Sequence, residues 1–177
     1  MVDHVIEVVA PRIETATAMF VSARGSFHGN AAAQSMLVDG MAKVLVRSLL
    51  LDADVRRFVP LVLRGLFQPS AHFEHFFDAV PGRLHALLSR LVGLIRGEPA
   101  ESETVILQTH ALIGQLIVFL VGRPILLRRM HWQEYSPEAV EKILAVLVPS
   151  LQRTLGLPVV SIHVTPDPAK ASAAPDQ

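Results

Sequence analysis

Two histidines stand three residues apart in Ala71-His72-Phe73-Glu74-His75. On a helix that spacing puts both imidazoles on one face, where they can hold a metal ion together. A zinc site needs three or four ligands, and Glu74 points away from that face. A solvated pair at a helix start explains the spacing as well. The zincin pattern, two histidines four apart around a glutamate, is absent. Nucleophilic chemistry has no better footing. Gly25-Ser26-Phe27-His28-Gly29 places glycines around a serine and a histidine, but nothing before it reads as the strand of a nucleophile elbow. No glycine-rich phosphate loop occurs. Glu98, Glu101 and Glu103 fall in a loop and Glu138 and Glu141 on an exposed helix face, so no carboxylate dyad forms in an apolar setting. No catalytic residue, metal or cofactor is expected from these patterns.

DNA reading is not written into the chain either. Arg56-Arg57 and Arg128-Arg129 are short basic pairs rather than a stripe. The turn near Gly25 lies between two apolar helices, and a recognition helix needs a polar exposed face. Two other patterns carry more. Phe58, Phe67, Phe73, Phe76 and Phe77 cluster in the middle of the chain, with Met36 and Met41 on the preceding helix. Gln108, His110 and Gln115 interrupt an otherwise apolar helix. A few polar groups in an apolar cavity describe a small-molecule site. Plain core packing, or pairing across an interface, describes the same residues. The candidate ligand contacts are Phe67, Phe73, Phe77, His110 and Gln115.

The apolar helix also carries Ala111, Gly114, Val118 and Gly122 at steps of three, four and four. This is a smooth strip along which another helix can approach closely. The last helix adds Ala139, Ile143, Val146, Leu147 and Leu151. Two such helices form a hairpin, and two hairpins about a two-fold axis make a four-helix bundle. The predicted dimer contacts are therefore Ala111, Gly114, Val118, Gly122, Ile143 and Leu147. A hairpin packed wholly inside one protomer is the alternative.

The elements that position these residues follow from the punctuation. Helical periodicity spans 2–23, with a kink expected at Pro11, and 31–51, with Asn30 as cap. Helices follow over 55–67 and 71–96, the latter interrupted by Pro81 and Gly82. Ser102 opens a helix over 103–130, and Ser136-Pro137-Glu138 opens one over 137–155. Val159 to Val164 has β-branched character but no strand to pair with, and the chain beyond is Pro, Ala, Asp and Ser. The prediction is an all-α domain of six to seven helices over 1–157 and an extended or disordered tail over 158–177.

Composition supports this. Of 177 residues 51% are apolar and 18% charged, with mean hydropathy +0.42, which excludes a disordered chain. Sixteen basic residues balance sixteen acidic ones, so no global charge recruits nucleic acid or a lipid surface. Without cysteine there is no disulfide frame, and the start Met1-Val2-Asp3-His4 does not read as a secretory signal. The longest membrane candidate, 111–127, is broken by Gln115, Arg123 and Pro124, whereas a span needs roughly 20 apolar residues. A soluble, cytoplasmic protein is expected.

The segments Ala111-Leu112-Ile113-Gly114-Gln115-Leu116-Ile117-Val118-Phe119 and Gly122-Arg123-Pro124-Ile125-Leu126-Leu127-Arg128-Arg129-Met130-His131-Trp132 resemble the C-terminal region of TetR-family transcriptional regulators. The likeness is greatest to the CecR-like (CerR) subgroup. Leu63-Arg64-Gly65-Leu66-Phe67-Gln68-Pro69-Ser70-Ala71-His72-Phe73 is similar to that subgroup's segment ending an earlier helix. The resemblance covers roughly residues 1 to 155. It implies an effector-binding and dimerisation domain, a homodimer built on the last two long helices, and an apolar or aromatic effector enclosed by the middle helices. The family's N-terminal helix-turn-helix has no counterpart here, so contact with DNA is expected only through a helix-turn-helix outside this chain. Alternatives are a reader-less partner that forms heterodimers with a regulator, and a helical enzyme assisted by a metal on His72 and His75.

Overall fold

The computed structural model describes residues 2–23, 25, 29–67 and 71–160, and among these the regular structure is helical, with no strand. Eight helices follow in order: α1 (Val2–Ala23), α2 (Ala31–Leu51), α3 (Ala53–Phe67), α4 (Ala71–Ala79), α5 (Pro81–Arg96), α6 (Glu103–Val121), α7 (Arg123–Met130) and α8 (Pro137–Thr154). The all-α prediction holds. The count exceeds six to seven because two expected helices are each divided. Pro81 begins α5, and Gly122 with Pro124 separates α6 from α7. A proline inside a helix lacks the N–H for the backbone ladder and clashes with the carbonyl four residues earlier. At the first turn of a new helix that N–H is not needed. Pro11, by contrast, lies within α1 without ending it.

The caps are those written in the sequence. Asn30 Oδ1 accepts from the Ala33 amide at 3.0 Å, Ser102 Oγ from Val105 at 3.3 Å and Ser136 Oγ from Ala139 at 3.2 Å. Each satisfies an amide that the helix start leaves unpaired. Gly97, with φ of 68°, ends α5 in the left-handed conformation that glycine adopts without strain.

The core gathers one face of nearly every helix. Ile13, Ala16 and Phe20 of α1 meet Leu37, Val38, Met41 and Leu45 of α2. The most extensive helix pair is α2 with α8, which buries Val140, Ile143, Leu144, Leu147, Val148 and Leu151. After Gly156 the chain turns back. Leu157 is buried, and the amide of Gln152 donates both to Ser35 O at 3.2 Å and to Val160 O at 3.1 Å. Pro158 to Val160 is thus an extended strap on α2 and α8; the rest of the expected tail, 161–177, lies outside the described residues.

Candidate functional site

The α6–α8 pair contains the predicted interface. Gln108 Nε2 donates to Thr154 O at 3.1 Å, and Ser150 Oγ donates to Gln115 Oε1 at 3.0 Å. Residue numbers rise along one helix as they fall along the other, so the two are antiparallel. The inward side of α6 is Val105, Thr109, Leu112 and Leu116, all buried. At 100° per residue, Leu107, Ala111, Gly114 and Val118 lie diametrically opposite, and all four are exposed. Leu107 is 62% exposed and Val118 56%. Ile125 of α7 is 71% exposed. Val146 of α8, at 69%, lies one turn before Ser150 on the same face, level with the Val118 turn of α6. Of the 18-residue apolar window in α6, 22% is buried within the protomer. By length and composition alone α6 is long and apolar enough to cross a membrane, as core helices of soluble proteins also are.

Three of the predicted interface residues thus share one open surface: Ala111, Gly114 and Val118. The other three lie elsewhere. Ile143 and Leu147 are 4% and 3% exposed, part of the protomer's own core. On the same helix Val146 is offered outward. Gly122 sits in the turn between α6 and α7, where a Cβ would come 2.7 Å from the Val118 carbonyl oxygen. Its smallness serves that turn.

Three of the predicted ligand contacts have described side chains. Phe77 is 43% exposed, His110 is exposed, and Gln115 is occupied with Ser150. The side chains of Phe67 and Phe73 lie outside the described residues, as does that of His72. Among the described residues no three His, Cys, Asp or Glu side chains group as metal ligands. The interior holds a cavity of about 40 Å³ between α2, α5, α6 and α8, lined by apolar side chains including Met41, Leu45, Leu91, Leu112 and Leu151. Drug-sized ligands occupy roughly 300–1,000 Å³, so the cavity in this form is far smaller than a ligand site.

Two polar clusters flank the α6 face. On the α5 side, His85 and His110 stand with ring centroids 6.1 Å apart. Ser89 Oγ lies 3.3 Å from His85 Nδ1 and donates to Thr109 Oγ1 at 3.3 Å. Burial, and next the charge of His110, lower the pKa of His85, while Glu101 acts against them. At the far end, the Arg123 guanidinium lies 5.5 Å over the Tyr135 ring, whose hydroxyl donates to Phe119 O at 2.8 Å. Trp132 meets Tyr135 edge-on at 6.4 Å, and Lys142 lies 5.9 Å over Trp132. Burial raises the Tyr135 pKa against the opposing charge of Arg123. The Arg-Pro and Trp motifs of the sequence thus lock the α6–α7–α8 connection. Sequence reasoning missed Tyr135, whose one signal was being the sole tyrosine, three residues after the sole tryptophan.

A family model described as the C-terminal domain of the HTH-type transcriptional dual regulator CecR matches residues 34–156. The chain is also similar to the HTH-type transcriptional dual regulator CecR of Shigella flexneri, 27% identical over 141 residues. That similarity covers 80% of this chain and 61% of the relative, so the chain spans somewhat under two thirds of the relative's length. The matched region runs from α2 through the end of α8, the helices that build the core and the open α6 face. The chain belongs to the family of CecR C-terminal domains, the C-terminal domain of a transcriptional regulator.

Proposed function

We propose that this chain is the effector-sensing and dimerisation part of a TetR-type transcriptional regulator, working as a cytoplasmic homodimer. Contact with DNA would be the work of a helix-turn-helix outside these 177 residues. The observation that carries the reading is the outward face of α6. It is apolar, small at its centre, and continuous with Val146 of α8. Contiguous exposed apolar surface of this kind marks an association site. Its occupant is a second copy, because α6 and α8 already form one antiparallel layer and a two-fold operation completes a four-helix bundle. A lipid environment suits the face less well, since the exposed, ionisable His110 borders it in the middle of α6.

Effector sensing follows the family and the cavity. Its lining is apolar, so an apolar or aromatic compound is the matching chemistry. Admission requires helices to part, and a ligand shifts that equilibrium only by its differential affinity for the opened form. Phe77 on α4, with Phe67, Phe73, His110 and Gln115, remains the proposed border of the opened site. Sedimentation equilibrium tests the dimer directly. The chain should have twice its 19.3 kDa mass, and Val118→Lys should return it to 19.3 kDa with its helical circular dichroism intact. A wild-type monomer at micromolar concentration refutes the reading.

A further inference from the structure

Beyond Glu103 and Thr104 in its first turn, both exposed, the outward face of α6 is apolar except at one rim. His110 lies four residues before Gly114, on the side of the strip that borders α5. His85 meets it there from α5 across the helix seam, with ring centroids 6.1 Å apart and planes tilted by 35°. Behind them Ser89 and Thr109 are buried, and their hydroxyls join His85 to the interior. A serine hydroxyl has one proton. With that proton given to Thr109, Ser89 Oγ accepts from His85 Nδ1–H, and Nε2 is the nitrogen left to take up a further proton. Among the groups acting on His85 are His110 across the seam and Glu101 on the connection between the helices.

We propose that the His85–His110 pair makes the association of two copies of this chain sensitive to protons, holding the dimer when both rings are neutral and releasing it when they charge. This rests on the homodimer reading above. Neutral rings present a half-apolar rim that a partner helix can cover. Charged rings put two cations side by side, and a partner that covers them strips their hydration. The two-fold relation repeats the cost in the second protomer. Glu101 offsets part of it at His85. Histidine is the side chain whose ordinary pKa, about 6.5, places such a change near physiological pH.

The test is the dimer dissociation constant, measured by sedimentation velocity on a dilution series at pH about 8 and about 5.5, on either side of that pKa. It uses the wild-type chain, His110→Gln and His85→Gln, with helical circular dichroism recorded for each. The wild-type constant should rise about tenfold or more at the lower pH, the change that one unit of displaced imidazole titration produces. His110→Gln should abolish most of the rise and His85→Gln part of it. A wild-type dimer with the same constant at both pH values overturns the switch and leaves the dimer standing. Variants that keep the full pH dependence also overturn it. A wild-type monomer at pH about 8 overturns the dimer and the switch together.

Discussion

Gly114 has no reason to be glycine within one protomer. It lies inside α6, with no left-handed backbone to require it, and a Cβ built there meets nothing within 4 Å. Glycine in a helix interior is less favourable than alanine by about 1 kcal/mol. Gly114→Ala should therefore stabilise an isolated protomer by about that amount, and a domain of this size melts about 2–4 °C higher per kcal/mol. If a second helix crosses the strip at this point, the sign reverses for the assembly. Each added methyl must enter a contact shaped for hydrogen, and overpacking of that kind costs about 1–3 kcal/mol per site. A two-fold interface repeats it, giving about 2–6 kcal/mol against association. At about 1.4 kcal/mol per decade the lower bound already weakens the dimer roughly thirtyfold. Gly114→Leu, with a side chain still open to solvent in the protomer, should leave no measurable dimer.

Two assays read the two signs separately. Thermal unfolding of dilute, dissociated protein reports the protomer, and sedimentation velocity over a dilution series reports the dimer. A variant that melts higher when monomeric and associates more weakly fits the proposed contact. A variant that melts higher while its dissociation constant stays within twofold of wild type refutes close approach at Gly114, even if the protein is a dimer by another face.

Further outcomes test the protomer itself. Gly93→Ala should lower the melting temperature by several degrees, because its Cβ would lie 2.7 Å from the Glu98 carbonyl and 3.2 Å from the Ala100 backbone, neither of which is a flexible side-chain end. Ser136→Ala should cost about 1 kcal/mol in urea unfolding through loss of the Ala139 cap. Gln152→Glu should destabilise by about 3 kcal/mol or more, since a carboxylate would be fully buried beside the Ser35 and Val160 carbonyl oxygens that the amide now donates to. The His85 pKa is lowered in the fold, so the unfolded chain binds the proton more readily. Stability should fall as pH drops below the ordinary imidazole value, and His85→Gln should lose less of it on acid titration followed by circular dichroism.

The helices were legible because their boundaries are local chemistry. Asn30, Ser102 and Ser136 accept the amides that their positions predict, and Gly97 closes α5 by its own backbone freedom. What local pattern does not contain is the identity of the neighbour. Ile143 and Leu147 are neighbours of Val146 on α8, and nothing in α8 alone says that the first two enter the core and the third does not. Gly114 and Gly122 look alike as small residues on one strip, yet one is bare surface and the other fills the corner of a turn made by Pro124. The phenylalanines divide in the same way. Phe76 enters the core, while Phe77 beside it faces outward, because adjacent helical residues point 100° apart.

Partitioning the apolar surface between core and interface is thus where the structure adds most. α6 has enough apolar residues to be buried all round, but the protomer has enough neighbours for only one side of it. Val105, Thr109, Leu112 and Leu116 meet those neighbours, and the opposite side is graded from large Leu107 through Ala111 and Gly114 to Val118. A helix selected only to fill a core would not carry a second apolar face with its smallest residue at the centre. In the proposed dimer that grading lets another backbone come close at Gly114 and puts His110 at the edge of the contact.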